Sequence, residues 1–240
     1  MLDFIAGPLG SLLRLIFDFV GDYGYSIIIF TILTKLILLP INIKQTESTK
    51  RMNEINPKMK EIQEKYKNDK EKMNQKLMEL YKEHNYNPAS GCLPALIQMP
   101  ILFSLFYVIQ DPVKYVFLDA NVYAAIAKNF WWLTDLGKSE MSATLVNVAG
   151  FGVPILAVLS AATTYYQMKM VNPKSNSNDK GKPDATQQTQ KMMTTMMPIM
   201  FGWITLSVPS GLALYWVVGN TFTIIQQYFM MKPSVEKKEV

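Results

Sequence analysis

Lys35 is where any chemistry in this chain has to start. It lies inside the apolar run YSIIIFTILTKLILLPINI, residues 25–43, which as a helix is long enough to span the roughly 30 Å hydrocarbon core of a bilayer. A lysine at mid-span costs about 2.5–3.5 kcal/mol on insertion scales, so it must face a partner or water. Thr31, Lys35 and Asn42 lie at i, i+4 and i+11, within one helical face, and Thr34 adds another polar group. The opposite face is Ile, Leu and Phe. The pattern predicts a helix with a lipid side and a wet side.

A lone ammonium in such a place can attract an anion. Intramembrane proteolysis instead needs a Ser–His or Ser–Lys pair, two aspartates or a metal. The apolar stretches contain no Asp, Glu or His, so only Lys35 with a serine or threonine remains as a conceivable dyad. One cysteine, Cys92, and one histidine, His84, leave no internal disulfide and no Cys/His cluster for a metal. No enzymatic activity and no cofactor are expected.

Other polar residues fall into stripes. Ser160, Thr163, Thr164 and Gln167 share a face of the third apolar stretch. Trp216, Asn220, Thr223 and Gln227 repeat at helical spacing in the fifth, with Tyr215 adjacent, and Gln98 comes from the second. Combined with the wet side of the first stretch, these would line a hydrated cavity carrying one positive charge. The expected groove set is Lys35, Thr31, Thr34, Gln98, Thr164, Gln167, Tyr215, Trp216, Asn220 and Thr223. Plainer alternatives stand beside it. Lys35 could snorkel, although Lys44 lies about 13 Å further along the axis. The stripes could be ordinary interhelical hydrogen bonding. The methionines at 192, 193, 196, 197 and 200 fit adaptable packing.

The elements that must position these residues follow from the blocks. Of 240 residues, 49% are hydrophobic, gathered into runs between charged or Ser/Asn/Pro-rich connections, which predicts an all-α polytopic membrane protein. Residues 1–22 read as an amphipathic helix in the membrane interface, with Leu9, Leu12, Leu13, Ile16, Phe17 and Val20 on one face and an Arg14/Asp18 pair opposite. An atypical signal segment is the other reading of that stretch. Residues 23–43 form the first span, and 44–88 a charged helical hairpin with its turn at Asn68-Asp69 and Pro57 at an early helical position. Residues 89–110 form the second span, and 111–143 a connection whose Trp131 and Trp132 suit an interfacial belt. The third span is 144–167, then a polar loop at 168–190, the fourth span at 191–208, the fifth at 209–230 and a tail at 231–240. Residues 44–88, residues 168–191 and the tail after Met230 hold 19 of the 24 Lys and Arg, and the opposite connections hold 4. The positive-inside rule then puts the N-terminus outside and the hairpin and C-terminus inside. The hairpin's 11 basic residues face 8 acidic ones, which is also what a plain solvated surface looks like.

The residues themselves resemble a known family. GYSIIIFTILTKLILLPI, NPASGCLPALIQMPI and MMPIMFGWITLSVPSGLALYWVVGNTFTIIQQ, in that order and over about residues 22–230, are similar to the YidC/Oxa/Alb-type membrane protein insertases in the form lacking a large extracytoplasmic domain. The resemblance implies five transmembrane helices around a hydrophilic groove, with an N-terminal interfacial helix and a cytoplasmic helical hairpin, in a bacterial cytoplasmic membrane. It implies nascent membrane proteins, the Sec translocon and the ribosome as partners within the lipid bilayer, and no DNA. The short tail with Lys232, Lys237 and Lys238 points to weak ribosome contact. In the family the first span usually carries an arginine in the groove; here Lys35 takes that position, keeping the charge and losing the planar fork. The family's groove and client-contact faces correspond to Thr31, Gln167 and Trp216. The competing expectation is a channel or small-anion transporter using Lys35, although no internal repeat of the transporter kind is present.

Overall fold

The computed structural model describes residues 3–87, 93–143, 146–148, 151–171 and 185–230. Helix α1 (Asp3–Val20) stops at Gly21, whose φ of 75° and N–H bond to the Phe17 carbonyl at 2.8 Å form a left-handed glycine cap. Asp22 then opens α2 (Tyr23–Ile37), its carboxylate accepting the Tyr25 N–H at 2.9 Å.

The run 25–43 is not one straight helix. After α2 the chain turns at Leu38 into α3 (Leu39–Lys65), and the two axes are bent by 64°. Pro40 accounts for the break, because it has no N–H to donate and its ring clashes with the carbonyl of Leu36. Helix α3 passes through both the expected span boundary at 43 and Pro57, which lies inside the helix instead of opening it. Asp69 caps α4 (Lys70–Glu83) by accepting the Lys72 N–H at 3.1 Å. Arms α3 and α4 bury Ile55, Met59, Leu80 and Tyr86 between them in a small core of their own.

Helix α5 (Leu93–Gln110) leads to a π-helical turn, Val113–Phe117, which Leu118 ends with a φ of 56°. Short helices α6 (Ala120–Ala125) and α7 (Glu140–Ala143) follow. The expected third span does not begin as a helix: β1 (Val146–Val148) pairs antiparallel with β2 (Phe151–Val153), and α8 runs only from Ile155 to Val171. Val146, Val148 and Val153 favour strand, and Pro154 disfavours helix in the residue before it. Helix α9 (Ala185–Ser207) starts inside the expected polar loop, of which 172–184 lie outside the described residues. A Val208-Pro209 turn joins it to α10 (Ser210–Met230). The tail lysines and Cys92 also lie outside the described residues.

Among the described residues no single helix is long and apolar enough to cross a membrane alone; α2 with α3 meets that condition only as a bent pair. The sequence shows why the longer helices fall short. Helix α9 begins ATQQTQK, and α10 carries Asn220, Thr223, Gln226 and Gln227.

The main core gathers where α2, α8 and α10 begin. Leu13 and Ile16 of α1 meet Tyr23, Ile27 and Phe30 of α2, Leu105, Val108 and Ile109 of α5, Leu156 of α8 and residues 212–215 of α10. Phe117 sits between Phe17 and Tyr23 with ring centroids 5.1 and 5.9 Å away. Gly24 lies directly on the Phe130 ring, where any Cβ would overlap the ring carbons. The stretch expected as a connection is therefore a folded cap, with Phe130, Leu133 and Leu136 buried, Trp131 exposed and Trp132 packed on the core.

Candidate functional site

Helix α10 packs against both α2 and α8, and α9 lies along α8. A small residue lets α10 approach the lysine. A Cβ on Gly219 would stand 3.2 Å from Lys35 Cε and 3.7 Å from Thr31 Cγ2. Lys35 is half-buried there, with its Nζ 3.5 Å from Thr223 Oγ1. No acidic side chain among the described residues comes within ion-pair distance of it.

A second polar cluster lies on the α8 side of the same α10 stripe. Trp216 Nε1–H donates to Thr164 Oγ1 at 3.3 Å, and Asn220 Nδ2–H donates to Thr164 Oγ1 at 2.9 Å and to Thr163 Oγ1 at 3.3 Å. Phe201 of α9 stacks on Trp216 with centroids 4.3 Å apart. Thr205 bonds Ser160 at 3.1 Å, tying α9 to α8.

Most hydroxyls of the expected groove set are already engaged. Thr31 donates to the Ile27 carbonyl at 2.6 Å, Thr34 to the Thr31 carbonyl at 2.8 Å and Thr223 to the Gly219 carbonyl at 2.9 Å. Thr31 is fully buried, and Tyr215 belongs to the main core. The structure thus brings Lys35, Thr31, Thr34 and Thr223 together on one side of α10, and Thr164, Trp216 and Asn220 on the other. Gln167 stands half-buried beyond Thr164 with no bond to a described residue. The side chain of Gln98 lies outside the described residues. Gln227 was part of the stripe but not of the expected set; it is 7% exposed, and its Oε1 finds no hydrogen-bond partner.

Burial changes along the bundle. In α10 residues 210–215 are all buried, whereas beyond them only Gly219 and Gln227 are. In α2 and α8 burial ends at Thr34 and Thr164. The helices are packed tightly at their starting ends and loosely toward the hairpin, with Lys35 at the boundary. Asn53 of the hairpin donates to the Val171 carbonyl at 3.0 Å, so α3 stays fastened to the end of α8. No group of His, Cys, Asp and Glu among the described residues could hold a metal ion.

The residue sequence reasoning missed is Glu140. It is fully buried, and its carboxylate accepts the Leu156 N–H at 2.9 Å and the Ala157 N–H at 3.3 Å. The only sequence signal was an acid a short way before a proline-led apolar helix, a long-range cap that local spacing does not reveal.

Comparison with known proteins adds an independent line. The family profile described as 60Kd inner membrane protein matches residues 15–238. A membrane protein insertase YidC of Clostridium perfringens is 38% identical over 93% of this chain and 84% of its own. One from Fusobacterium nucleatum is 38% identical over 93% of both. A longer relative of the same name from Leptospira interrogans is 36% identical, with the match covering 95% of this chain and 34% of that protein. Among solved structures, an active YidC insertase crystal structure with the first transmembrane domain resolved superposes with a TM-score of 0.66 at 28% identity, covering 95% of this chain and 46% of the other. A profile spanning nearly the whole chain, relatives at this identity and a matching fold agree: the chain belongs to the YidC family of membrane insertases.

Proposed function

We propose that this protein is a membrane protein insertase whose working site is the polar stripe centred on Lys35. The observation that carries the reading is a half-buried lysine on an apolar helix, with no acid beside it among the described residues. Its counter-charge arrives with the client. An acidic or polar tail of a nascent membrane protein enters from the hairpin end, where packing is loose, and Lys35 attracts it. A hydrated groove shortens the low-dielectric path the tail must cross. The client's apolar segment moves past α8 and α10 into lipid, driven by burial at about 25 cal/mol per Å². The membrane potential adds about 2.3 kcal/mol per charge per 100 mV for acidic tails.

In this reading α2, α5, α8, α9 and α10 are the five spanning elements. The N-terminus is outside, and the hairpin and C-terminus are inside, a reading that the distribution of Lys and Arg supports. In the same reading the α2–α3 junction at Leu38 lies at the inner surface, and α3 leads from the groove into the hairpin that receives clients. The Sec translocon and the ribosome are the proposed partners on either side of that step.

Photo-crosslinking tests this directly. Probes at Gln167 and Thr34 should capture a stalled nascent membrane protein, and a probe at Phe4, on the far exposed face of α1, should not. No crosslink from either groove position, in a preparation that inserts the client, would refute the path. Lys35-dependent anion flux in vesicles without client insertion would favour the channel instead.

A further inference from the structure

The end of the bundle opposite the hairpin is held by five consecutive residues that the client path does not use. Glu140 lies at one foot of this strap. Its two carboxylate oxygens accept the Leu156 N–H at 3.1 and 2.9 Å, and it also accepts the Ala157 N–H at 3.3 Å and Trp132 Nε1–H at 3.3 Å. Leu156 and Ala157 open α8, so the carboxylate satisfies donors that have no partner within the helix and sits at its positive end. The other foot caps α10. The Lys138 carbonyl accepts the Ser210 N–H and the Ser210 hydroxyl, each at 2.7 Å, and the Leu136 carbonyl accepts the Gly211 N–H at 2.9 Å. Gly211 permits this approach, since a Cβ there would stand 3.2 Å from the Leu136 oxygen.

A carboxylate with no exposure is costly unless it is fully bonded. Here every partner belongs to α8 or to the cap. One strap therefore fixes the height and rotation of α8 against α10. The effect reaches the polar stripe: Thr164 lies about 12 Å further along α8 and meets Trp216 and Asn220 only at one rotation.

We propose that the segment 136–140 seals the outer end of the bundle and that Glu140 is its positioning residue. It holds α8 and α10 shut at their starting ends, so that they part only toward the hairpin. The proposal rests on the insertase reading for which end the client enters, but not for the seal itself.

The test uses the full chain in sealed vesicles, with Glu140→Gln and Glu140→Asp. Glutamine keeps the size but supplies one acceptor oxygen in place of two. Small-ion leak should rise about 10- to 100-fold, equivalent to about 1.4–2.8 kcal/mol of lost closure. Spin labels at Val158 and Thr221, both exposed, should give a broader distance distribution. A pair at Lys60 and Lys82 within the hairpin should not change. Glu140→Asp, which keeps the charge, should recover part of the seal. A folded Glu140→Gln protein with wild-type leak and wild-type distances overturns the proposal. If Glu140→Gln does not fold, Ser210→Ala decides: it removes the hydroxyl bond at the other foot and should also leak, and a tight Ser210→Ala vesicle overturns the seal. Wild-type vesicles that insert no client, alongside a leaking Glu140→Gln variant, would sink the insertase reading and leave the seal standing.

Discussion

Replacing Lys35 by methionine removes the charge while keeping an unbranched side chain of similar length. The magnitude follows from where the ammonium sits. Nζ lies 3.5 Å from Thr223 Oγ1, half-buried at the edge of the tightly packed region. A client carboxylate settling about 4 Å from it would gain about 4 kcal/mol at an effective dielectric of about 20, and about 1 kcal/mol in bulk water. At a half-buried site the gain falls between these limits, at about 2 kcal/mol, or roughly 30-fold in rate. Lys35→Glu converts attraction into repulsion of similar size, so the loss should approach about a thousandfold. Lys35→Arg keeps the charge and should stay close to wild type. The assay is the initial rate of insertion, at matched protein levels, of a client with an acidic tail and of the same client with each tail Asp changed to Asn. Lys35→Met should slow the acidic client about 30-fold and the neutral one little. Equal rates for Lys35→Met and wild type on the acidic client would refute the electrostatic role. Equal losses on both clients would show that the lysine shapes the fold and does not read charge.

Other perturbations test neighbouring parts of the same reasoning. Gly219→Ala places a methyl 3.2 Å from Lys35 Cε and should displace the lysine, lowering insertion of the acidic client several-fold while circular dichroism stays unchanged. Thr164→Val removes the acceptor of Trp216 and Asn220; at about 0.6–2 kcal/mol per bond it should lower the thermal unfolding midpoint in detergent. Ile55→Ala, at a position 2% exposed in the hairpin core, should cost about 2–4 kcal/mol locally, raising hydrogen exchange in α3 and α4 and leaving the bundle protected. Asp3 accepts a hydrogen bond from the Tyr115 hydroxyl at 2.6 Å beside Lys114, and these two partners hold its carboxyl below the usual carboxylate range. This clasp between α1 and the π-helical turn is therefore present above the ordinary carboxylate pKa and lost as pH falls through the lowered one. Exchange protection at the start of α1, followed against pH, should drop only in that acid window, and Asp3→Asn should abolish the dependence.

What the sequence made legible was short-range. The boundary drawn between residues 22 and 23 falls where α1 gives way to α2, and the turn drawn at Asn68-Asp69 is where Asp69 caps α4. Apolar length alone misled at two prolines. Pro40 bends the run around Lys35, and Pro154 delays α8 behind a short β-hairpin. Both effects are properties of one residue's ring, and a composition window averages over them. The cap between α5 and α8 was illegible for the opposite reason. Its organisation depends on Glu140 reaching Leu156 and on Leu136 and Lys138 reaching α10, contacts that no local period encodes. The polar stripes were visible as spacings, but spacing could not show which of their groups are already bonded to one another.

That last distinction shapes the proposed mechanism. Thr31, Thr34 and Thr223 each donate to a carbonyl of their own helix, and Thr164, Trp216 and Asn220 bond among themselves. A client sliding past them finds few free donors or acceptors, so each hydrogen bond it makes must displace one already formed, for little net gain. Strong binding would be a fault in a protein that must let its client go. In the proposed mechanism attraction is concentrated instead in the charge of Lys35, which acts at a distance and needs no particular geometry. Among the described residues of the stripe, half-buried Gln167 bonds to no other described residue, and the Gln227 oxygen is buried without a partner. Under the same proposal a polar surface that satisfies itself would hold a passing tail weakly and so release it. Lysine suits such a surface, because capture here calls for charge and not for the bidentate grip that would retain a carboxylate.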